Sequence, residues 1–454
     1  MNSLKRSVAG IRGIWGESLY PDTAIQYASA FAMFVGGGKI ILGRDTRTTG
    51  NPLRFAVLSA LLSYGCEVID IDIAPTPTCQ LAVEKFKANG GIIITASHNP
   101  FEWNGIKFVN SNGEFLHEKD FGKITDIIDN NKIVYNPVEK TIEYDVSKSV
   151  QLNERAIKEH INEISNVIDV DLIRSKSFKV AFDAVNGAGS RLMFPLFKHL
   201  NVEVLPLYCE ENGQFPRGAE PMPENLGALS NLVKEAKADI GFAVDPDADR
   251  LSIISEEGVP LGEEMSLPLV AQHIVSQTPG VIVTNLSTSM AIDFVAQKYD
   301  CKVVRTKIGE ANVVQGMKDN DCIVGGEGNG GVILPKIHYS RDTGIGIGLI
   351  LDYIAKSQSK ISELARTIPQ LFLVKKKLDL DEQSIQKVLE YVQKTYSADN
   401  VNTLDGVKVT WKDSWMHLRK SGTEGMLRIF AEAKSMDLAN EIVDNMIAKI
   451  KDIV

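Results

Sequence analysis

Three carboxylates alternate in the DPDADR segment at residues 245–250. The apolar run IGFAV at residues 240–244 precedes it directly, so the sequence predicts that Asp245, Asp247 and Asp249 lie where a buried strand ends. Clustered oxygen ligands suit Mg²⁺ or a similar divalent ion. Such an ion, together with Arg250, would cancel most of the repulsion among the carboxylates. The alternative is a solvated acidic turn, but this pattern directly after a strand favours a metal site.

A candidate nucleophile lies in the TASHNP segment at residues 95–100, where Ser97 follows a strand-like apolar run and precedes His98. A serine hydroxyl is a poor nucleophile at its ordinary pKa, so it would need a metal, a base or a preorganised phosphate. Ordinary turn chemistry explains a Ser-His-Asn-Pro segment equally well. Downstream, Lys107 on a predicted strand could hold a phosphate, or transfer a proton if burial and neighbouring cations lowered its pKa.

Three glycine-containing segments could bind a phosphorylated sugar. Arg12 lies in the GIRG segment at residues 10–13, where the backbone can approach a ligand and the guanidinium can bind phosphate by two hydrogen bonds. The GGEGNGG segment at residues 325–331 offers a carboxylate and an amide for vicinal sugar hydroxyls, although a flexible loop is the alternative. The RKSGTEG segment at residues 419–425 combines cations, hydroxyls and glycine amides, which favours a phosphate site over a plain basic hairpin.

The composition is that of an ordinary globular protein. With 454 residues, of which 44% are hydrophobic, the chain suggests roughly three to four domains. No apolar stretch approaches the roughly 18 residues of a membrane span and no signal-peptide core follows the N-terminus, so we expect a cytoplasmic protein without a membrane partner. A net charge of −9 argues against a general nucleic-acid partner. Five cysteines without a C-x-x-C pattern indicate neither a disulfide framework nor a thiolate zinc site.

The elements that must position these residues read as α/β units. Three passages, beginning at residues 39, 179 and 280, each read as a buried strand, a polar or glycine-containing turn and a helix. Their recurrence suggests three related α/β domains, although such units also look alike by chance. From about residue 375 the pattern becomes helix, two strands and a final helix, which predicts a small α+β domain. In that last helix Leu438, Ile442, Met446 and Ile450 form the expected apolar stripe.

These segments, in this order, resemble the α-D-phosphohexomutase family, which comprises phosphoglucomutase, phosphomannomutase and phosphoglucosamine mutase. The resemblance runs over essentially the whole chain. It implies three related α/β domains with mixed sheets plus a smaller C-terminal α+β domain around a central active-site cleft. The predicted domains are residues 1–148 with the phosphoserine loop, 149–250 ending in the metal-binding loop, 251–368 with the sugar-recognition loop and 369–454 with the phosphate-binding loop.

The resemblance also implies a role for each candidate residue. Ser97 would carry the phosphoryl group and, with Asp245, Asp247 and Asp249, bind Mg²⁺. The residues implied to assist catalysis or bind phosphate at this end are Arg12, His98, Lys107 and Arg250. The residues implied to contact the substrate are Lys307, Glu310, Glu327, Asn329, Arg419, Ser421, Gly422, Thr423 and Arg428.

Two segments depart from patterns common in the family. A sugar loop that often reads GExSGH is GEGNGG at residues 326–331, without the serine and the histidine. A loop that often reads TKVGH in glucose and mannose enzymes is TKIGE at residues 306–310, and Glu310 looks closer to the phosphoglucosamine branch. If the missing histidine normally helps with proton transfer, Glu310 or Lys107 must cover that task. The preferred sugar therefore stays open among glucose, mannose and glucosamine.

The implied activity is that of an isomerase. It interconverts hexose 1-phosphate and hexose 6-phosphate through phosphorylated Ser97 and a hexose 1,6-bisphosphate, which also serves as activator. The implied partners are small-molecule sugar phosphates, and the implied assembly is a monomer or a homodimer. Two alternatives use the same residues: a metal-dependent sugar phosphatase, and a non-catalytic sugar-phosphate binder.

Overall fold

The structure is a computed structural model that describes residues 4–8, 10–134, 148–421 and 426–454. The chain forms two compact units. The first comprises Met1–Ser266 and Asn329–Ala365, and the second comprises Leu267–Gly328 and Arg366–Val454. Among the residues that the structure describes, none of the helices combines the length and the apolar character that a membrane span needs.

A six-stranded mixed sheet opens the first unit. Its strands are β1 (Lys5–Ser7), β2 (Gly10–Ile14), β3 (Lys39–Arg44), β4 (Glu67–Ile73), β5 (Gly90–Ile94) and β6 (Trp103–Val109). They are ordered β1-β2-β6-β5-β3-β4, with β3 parallel to β4 and β5, and β6 antiparallel to β5 and β2. The helices between them are α1 (Pro21–Val35), α2 (Gly50–Ser63), α3 (Thr76–Lys85) and α4 (Glu118–Asp129).

Alternate residues of the central strands of this sheet face different cores. Ile40 and Leu42 of β3 belong to a hydrophobic cluster with Phe31 of α1, whereas Ile41 belongs to a second cluster with Cys79 of α3. Successive side chains of a strand point to opposite faces, so a continuously apolar strand needs helices on both sides. The uninterrupted apolar runs of β3 and β5 thus account for the three-layer α/β arrangement.

A four-stranded sheet follows in the same unit. Its elements are α5 (Lys148–Ser165), α6 (Val170–Lys176), β7 (Lys179–Asp183), α7 (Gly189–His199), β8 (Glu203–Leu207), α8 (Gly227–Ala236), β9 (Ile240–Val244) and β10 (Leu251–Ile254). The strand order is β10-β9-β7-β8, with β7 parallel to β8 and β9, and β10 antiparallel to β9. Every residue of β9 is buried, and β9 lies between β10 and β7. The segment at residues 245–250 therefore begins inside the sheet and not at its edge.

The next part of the chain contributes to both units. The second unit holds β11 (Val281–Asn285), α10 (Ala291–Lys298), β12 (Lys302–Thr306), α11 (Glu310–Asp319) and β13 (Val324–Glu327), with α9 (Ser266–Gln277) before them. Strand β11 pairs in parallel with both β12 and β13. The first unit receives β14 (Gly331–Ile333), α12 (Thr343–Ser357) and most of α13 (Ile361–Arg366). Asp342 caps α12 by accepting hydrogen bonds from the amides of Gly344 and Ile345.

A five-stranded antiparallel sheet with two helices ends the second unit. Its elements are β15 (Phe372–Asp379), α14 (Glu382–Thr395), β16 (Asn400–Asn402), β17 (Val407–Thr410), β18 (Ser414–Lys420), β19 (Met426–Ala433) and α15 (Met436–Ile453). The order is β15-β19-β18-β17-β16. This segment is the predicted α+β domain.

Three of the four residues of the apolar stripe predicted for α15 pack on the core, since Ile442 is partly buried against it. Met446 and Ile450 are buried, but Leu438 is 40% exposed, and the helix buries Ala439 and Val443 instead. A strict four-residue spacing drifts around a helix that has 3.6 residues per turn, so it cannot keep to one face. The buried residues of α15, at positions 439, 443, 446 and 450, are instead separated by four, three and four residues.

The three predicted strand–turn–helix passages are confirmed as β3 with α2, β7 with α7, and β11 with α10. In each, a strand with an apolar core stretch ends in polar or glycine residues before the helix begins. The predicted class, three α/β domains with mixed sheets and a smaller α+β domain, is confirmed.

Candidate active site

The three aspartates converge at the end of β9. Asp245, Asp247 and Asp249 are all buried, and one carboxylate oxygen from each lies within 4.8 Å of the others. The loop folds back on the first of them, because Asp245 Oδ1 accepts hydrogen bonds from the amides of Asp249 (3.0 Å) and Arg250 (3.1 Å). Ala248 makes this turn possible by adopting a left-handed conformation with φ of +55°.

The electrostatics of the cluster favour a bound cation. Burial raises the pKa of Asp245 well above its usual range, and the neighbouring carboxylates of Asp249 and Asp247 raise it further. Within the described part of the chain, Asp247 Oδ1 and Asp249 Oδ1 are buried without a hydrogen-bond partner. Buried carboxylate oxygens without partners are costly, and a hard divalent cation is the ligand that satisfies them. The aspartate triad therefore fits a metal ion.

Ser97 lies directly beside this triad. Its hydroxyl donates a hydrogen bond to Asp245 Oδ2 at 3.1 Å, although 148 residues separate the two in sequence. Its backbone has a φ of +50°, the left-handed region that an L-residue enters only at a cost. The amide of Ser97 donates to Thr95 Oγ1 at 2.8 Å, which helps to hold this turn. The predicted nucleophile and the predicted metal ligands thus form one site.

Lys107 of β6 lies between two of the carboxylates. Its ammonium donates to Asp247 Oδ2 at 2.8 Å and approaches Asp249 Oδ2 at 3.4 Å. Burial favours a lower pKa for Lys107, but the two carboxylates outweigh it and raise the pKa above its ordinary value. Proton transfer by Lys107 would require a lowered pKa, and the two carboxylates produce the opposite shift. Lys107 is a cation paired with the loop at residues 245–250.

Arg12 and His98 flank the serine. Arg12 lies within β2, and its Nη1 donates to Asn99 Oδ1 at 2.9 Å. His98 Nδ1 lies 3.3 Å from Ser97 Oγ. Burial and the charge of Arg250 hold the pKa of His98 well below its ordinary value, so the imidazole is neutral.

Glu220 joins His98 and Arg250. Its Oε1 accepts a hydrogen bond from Arg250 Nη1 at 2.9 Å and lies 3.6 Å from His98 Nε2. No sequence pattern singles out this glutamate, because it lies in the irregular segment before α8. Its carboxylate fixes the direction of the Arg250 side chain.

Two further residues that sequence reasoning missed contact the triad. Arg341 donates to Asp249 Oδ2 at 2.6 Å and to Asn329 Oδ1 at 3.3 Å, so it joins the loop at residues 245–250 to the end of the glycine-rich segment. Thr76 Oγ1 donates to Asp247 Oδ2 at 2.7 Å. Only their positions could have drawn attention to these two residues. Arg341 directly precedes the helix-capping Asp342, and Thr76 begins α3.

A separate group of candidate residues lies in the second unit. Glu327 Oε1 accepts hydrogen bonds from Asn285 Nδ2 at 2.8 Å and from the amide of Gly309 at 3.1 Å. Lys307 is exposed, whereas Glu310 is buried in the first turn of α11. Two segments that were predicted separately to recognise the sugar are thus hydrogen-bonded to each other. One contains Glu327, and the other spans residues 306–310.

The predicted phosphate-binding segment begins on β18. Arg419 is paired in register with Arg428 of β19, so two guanidinium groups lie on the same face of the sheet. Like charges directly opposite each other are unfavourable in a sheet, and an anion between them removes the repulsion. Ser421 is buried after the end of β18. Gly422 and Thr423 lie outside the described residues.

Asp405 connects the two groups of the second unit. Its Oδ1 accepts a hydrogen bond from Arg419 Nε at 3.2 Å, and its Oδ2 accepts one from the amide of Ile308 at 3.0 Å. Sequence reasoning missed it, since an isolated aspartate before a glycine reads as an ordinary turn residue.

The whole chain matches one set of domain families. These are described as phosphoglucomutase/phosphomannomutase alpha/beta/alpha domains I, II and III, at residues 4–134, 158–258 and 262–372, and the C-terminal domain, at residues 373–449. A phosphoglucomutase/phosphomannomutase of Thermococcus kodakarensis is 36% identical over 448 residues, which cover 96% of each chain. The chain belongs to the phosphoglucomutase/phosphomannomutase family. The predictions of a phosphohexomutase and of an isomerase are thereby confirmed.

Other relatives extend this family likeness. A probable phosphoglucosamine mutase of Methanopyrus kandleri is 34% identical over 445 residues, which cover 97% of this chain and 96% of that one. A solved phosphoglucomutase/phosphomannomutase family protein of Burkholderia thailandensis has a TM-score of 0.84 at 25% identity and covers 98% of this chain and 96% of its own. The phosphoglucomutase/phosphomannomutase family thus includes relatives of this chain that are named for different sugars. The roles of individual residues and the predicted domain boundaries stay predictions.

Proposed function

We propose that this phosphohexomutase interconverts hexose 1-phosphate and hexose 6-phosphate through phosphorylated Ser97. The observation that carries the proposal is the 3.1 Å hydrogen bond from Ser97 Oγ to Asp245 Oδ2, which puts a hydroxyl against a buried carboxylate cluster. Asp245, Asp247 and Asp249 would hold Mg²⁺, with an oxygen of phosphorylated Ser97 as a further ligand. Bound Mg²⁺ would neutralise charge on the phosphoryl oxygens and so favour attack at phosphorus.

The reaction consists of two phosphoryl transfers. In the first, the 6-hydroxyl of a hexose 1-phosphate attacks the phosphorus on Ser97, the bond from phosphorus to Oγ breaks, and the hydroxyl proton passes to the departing Oγ. The product is a hexose 1,6-bisphosphate, which turns around in the site. Ser97 Oγ then attacks the phosphorus of the 1-phosphate, and the bond from that phosphorus to O1 of the sugar breaks. The serine proton passes to O1, so hexose 6-phosphate forms and Ser97 is phosphorylated again. Added bisphosphate acts as activator because it phosphorylates enzyme molecules whose Ser97 is free.

The residues around Ser97 contribute charge and position more than covalent chemistry. Lys107 stays cationic and holds the carboxylates of Asp247 and Asp249 in place. Arg12 and Arg250 are cations that can neutralise the transferring phosphoryl group. Elsewhere in the chain, Arg419 and Arg428 would bind a substrate phosphate, together with Ser421, Gly422 and Thr423.

A second candidate substrate is a glucosamine phosphate. The segment at residues 306–310 carries Glu310 and is hydrogen-bonded through the amide of Gly309 to the carboxylate of Glu327. A carboxylate in this segment suits the ammonium group of glucosamine better than it suits a neutral hydroxyl. Lys307 and Asn329 would add hydrogen bonds to the sugar.

The experiment is ³¹P NMR of the protein with Mg²⁺, a catalytic amount of hexose 1,6-bisphosphate and, in parallel, the 1-phosphates of glucose, mannose and glucosamine. We expect a hexose 6-phosphate resonance and its loss in Ser97→Ala. Inorganic phosphate as the sole product would indicate a phosphatase, and no change with any sugar would indicate a binding protein. If glucosamine is preferred, Glu310→Gln should slow the glucosamine reaction more than the glucose reaction, whereas equal effects would contradict the second candidate.

A further inference from the structure

We propose that Arg47 is a positioning residue that holds the Ser97 loop in its reactive conformation; the inference rests on the proposed role of Ser97. The Arg47 side chain is buried, and its guanidinium donates four hydrogen bonds to backbone carbonyls of this loop. Nη2 donates to the carbonyls of Ser97 and Asn99, both at 2.7 Å, and Nη1 donates to those of Pro100 at 2.6 Å and Trp103 at 2.9 Å.

Arg47 is itself fixed by a hydrogen-bonded chain that returns to the serine. Its Nε donates to Asp45 Oδ2 at 3.0 Å, and its amide donates to Asp45 Oδ1 at 2.9 Å. Asp45 Oδ2 also accepts from Thr95 Oγ1 at 2.7 Å, and Thr95 Oγ1 accepts from the amide of Ser97 at 2.8 Å. The carbonyl and the amide of Ser97 are therefore held by one connected network.

The network explains how the strained turn at Ser97 persists. A φ of +50° is unfavourable for serine, so surrounding contacts must determine it. With its carbonyl directed to Arg47, the Ser97 side chain is free to approach Asp245. A lysine at position 47 could not reproduce this arrangement, because an ammonium is a point donor without the planar fork of a guanidinium.

The segment that contains Gly213 and Phe215, before α8, packs against Arg47. The Phe215 ring lies 4.8 Å from the guanidinium carbon of Arg47. A side chain at Gly213 would lie 2.5 Å from the carbonyl oxygen of Thr46 and 2.9 Å from the α-carbon of Arg47, so the two backbones pack in direct contact. The guanidinium is thus shielded from water, which strengthens its hydrogen bonds to the loop.

The test compares Arg47→Lys with a matched control, Arg54→Lys. Arg54 is another buried arginine, on α2, and it is paired with Asp70 at 2.7 Å. For each variant, kcat, KM, inorganic phosphate released per turnover and Tm are measured. We expect Arg47→Lys to lower kcat about a hundredfold with little change in KM, because misplacement of a reacting group by about 1 Å costs that much. Phosphate release per turnover should rise, since a loosened loop admits water.

Equal losses of kcat and Tm in the two variants would reduce Arg47 to a structural role and overturn the proposal. So would a kcat for Arg47→Lys within about twofold of the unmodified chain. If Arg47→Lys does not fold, Thr95→Val is the second variant, because it removes the hydroxyl that joins Asp45 to the Ser97 amide. It should show the same change in kcat and phosphate release. Unchanged kcat and phosphate release in Thr95→Val would refute the role of the network. Full activity in Ser97→Ala would instead refute the proposed function itself.

Discussion

Lys107 Nζ lies 2.8 Å from Asp247 Oδ2, and both side chains are buried. Burial favours a higher pKa for Asp247, but its pairing with Lys107 and Thr76 holds the pKa below the usual range. The ammonium thus supplies counter-charge to a loop that carries three carboxylates. This pairing links β6, which follows the Ser97 loop, to the aspartate-containing loop that follows β9.

Removal of this ammonium should make stability depend on Mg²⁺. Lys107→Met leaves buried carboxylates without their counter-charge, which should lower the free energy of unfolding by about 3 to 5 kcal/mol. Because Mg²⁺ can supply the missing charge, it should restore more stability to the variant than it adds to the unmodified chain. Urea unfolding with and without Mg²⁺ measures both effects. The control is Lys376→Met, whose exposed pair with Asp444 should contribute under about 1 kcal/mol; equal Mg²⁺ effects in all three proteins would contradict the prediction.

Loss of one aspartate of the triad should weaken metal binding. Asp247→Asn removes a charged oxygen ligand, so we expect the Kd for Mg²⁺ to rise at least about tenfold in isothermal titration calorimetry. Asp70→Asn is the matched control, because Asp70 is also buried but is paired with Arg54 and is not one of the triad. An unchanged Kd in Asp247→Asn would remove Asp247 from the metal site.

Asp405 should control binding of the substrate phosphate through Arg419. Asp405→Asn removes the charge that orients the guanidinium, and an amide nitrogen cannot accept a hydrogen bond from Arg419 or from Ile308. We expect KM for hexose 1-phosphate to rise about tenfold, the loss that corresponds to one charge-assisted hydrogen bond, with a smaller change in kcat. Asp413→Asn changes a more exposed aspartate that pairs with Lys434 in the same domain and should leave KM unchanged. A fall in kcat at constant KM would contradict this role for Asp405.

His417 should make the protein less stable in acid. Burial lowers the pKa of His417 to about 4, and its ring contacts Ser287 Oγ and the carbonyl of Asp405. An unfolded histidine has a pKa of about 6.5, so the unfolded state binds more protons between pH 6.5 and 4. The stabilising contribution is complete above about pH 6.5 and is lost as the pH falls towards 4.

The measurement is urea unfolding at several pH values between 7 and 4. Relative to His417→Gln, the unmodified chain should lose up to about 1.4 kcal/mol of unfolding free energy per pH unit in this window. Parallel pH profiles for the two proteins would show that His417 does not contribute.

The sequence by itself determined the chemistry and the kind of fold. Apolar runs followed by polar turns are local signals, so the strand before Asp245, the turn at Ser97 and the change to an α+β domain near residue 375 could all be predicted. The order of these segments along the chain was sufficient to recognise the family.

Only the tertiary structure decided which residues act together. Arg47, Arg341, Thr76 and Asp405 carry no local signal of what they contact, because a partner of each lies far away in sequence and is brought near only by the packing of strands and loops. The direction of the pKa shift of Lys107 likewise depends on the balance between burial and two carboxylates more than 100 residues away. Local patterns fix elements and residue types, whereas long-range contacts and desolvation fix geometry and charge, because these depend on every neighbour in the folded chain.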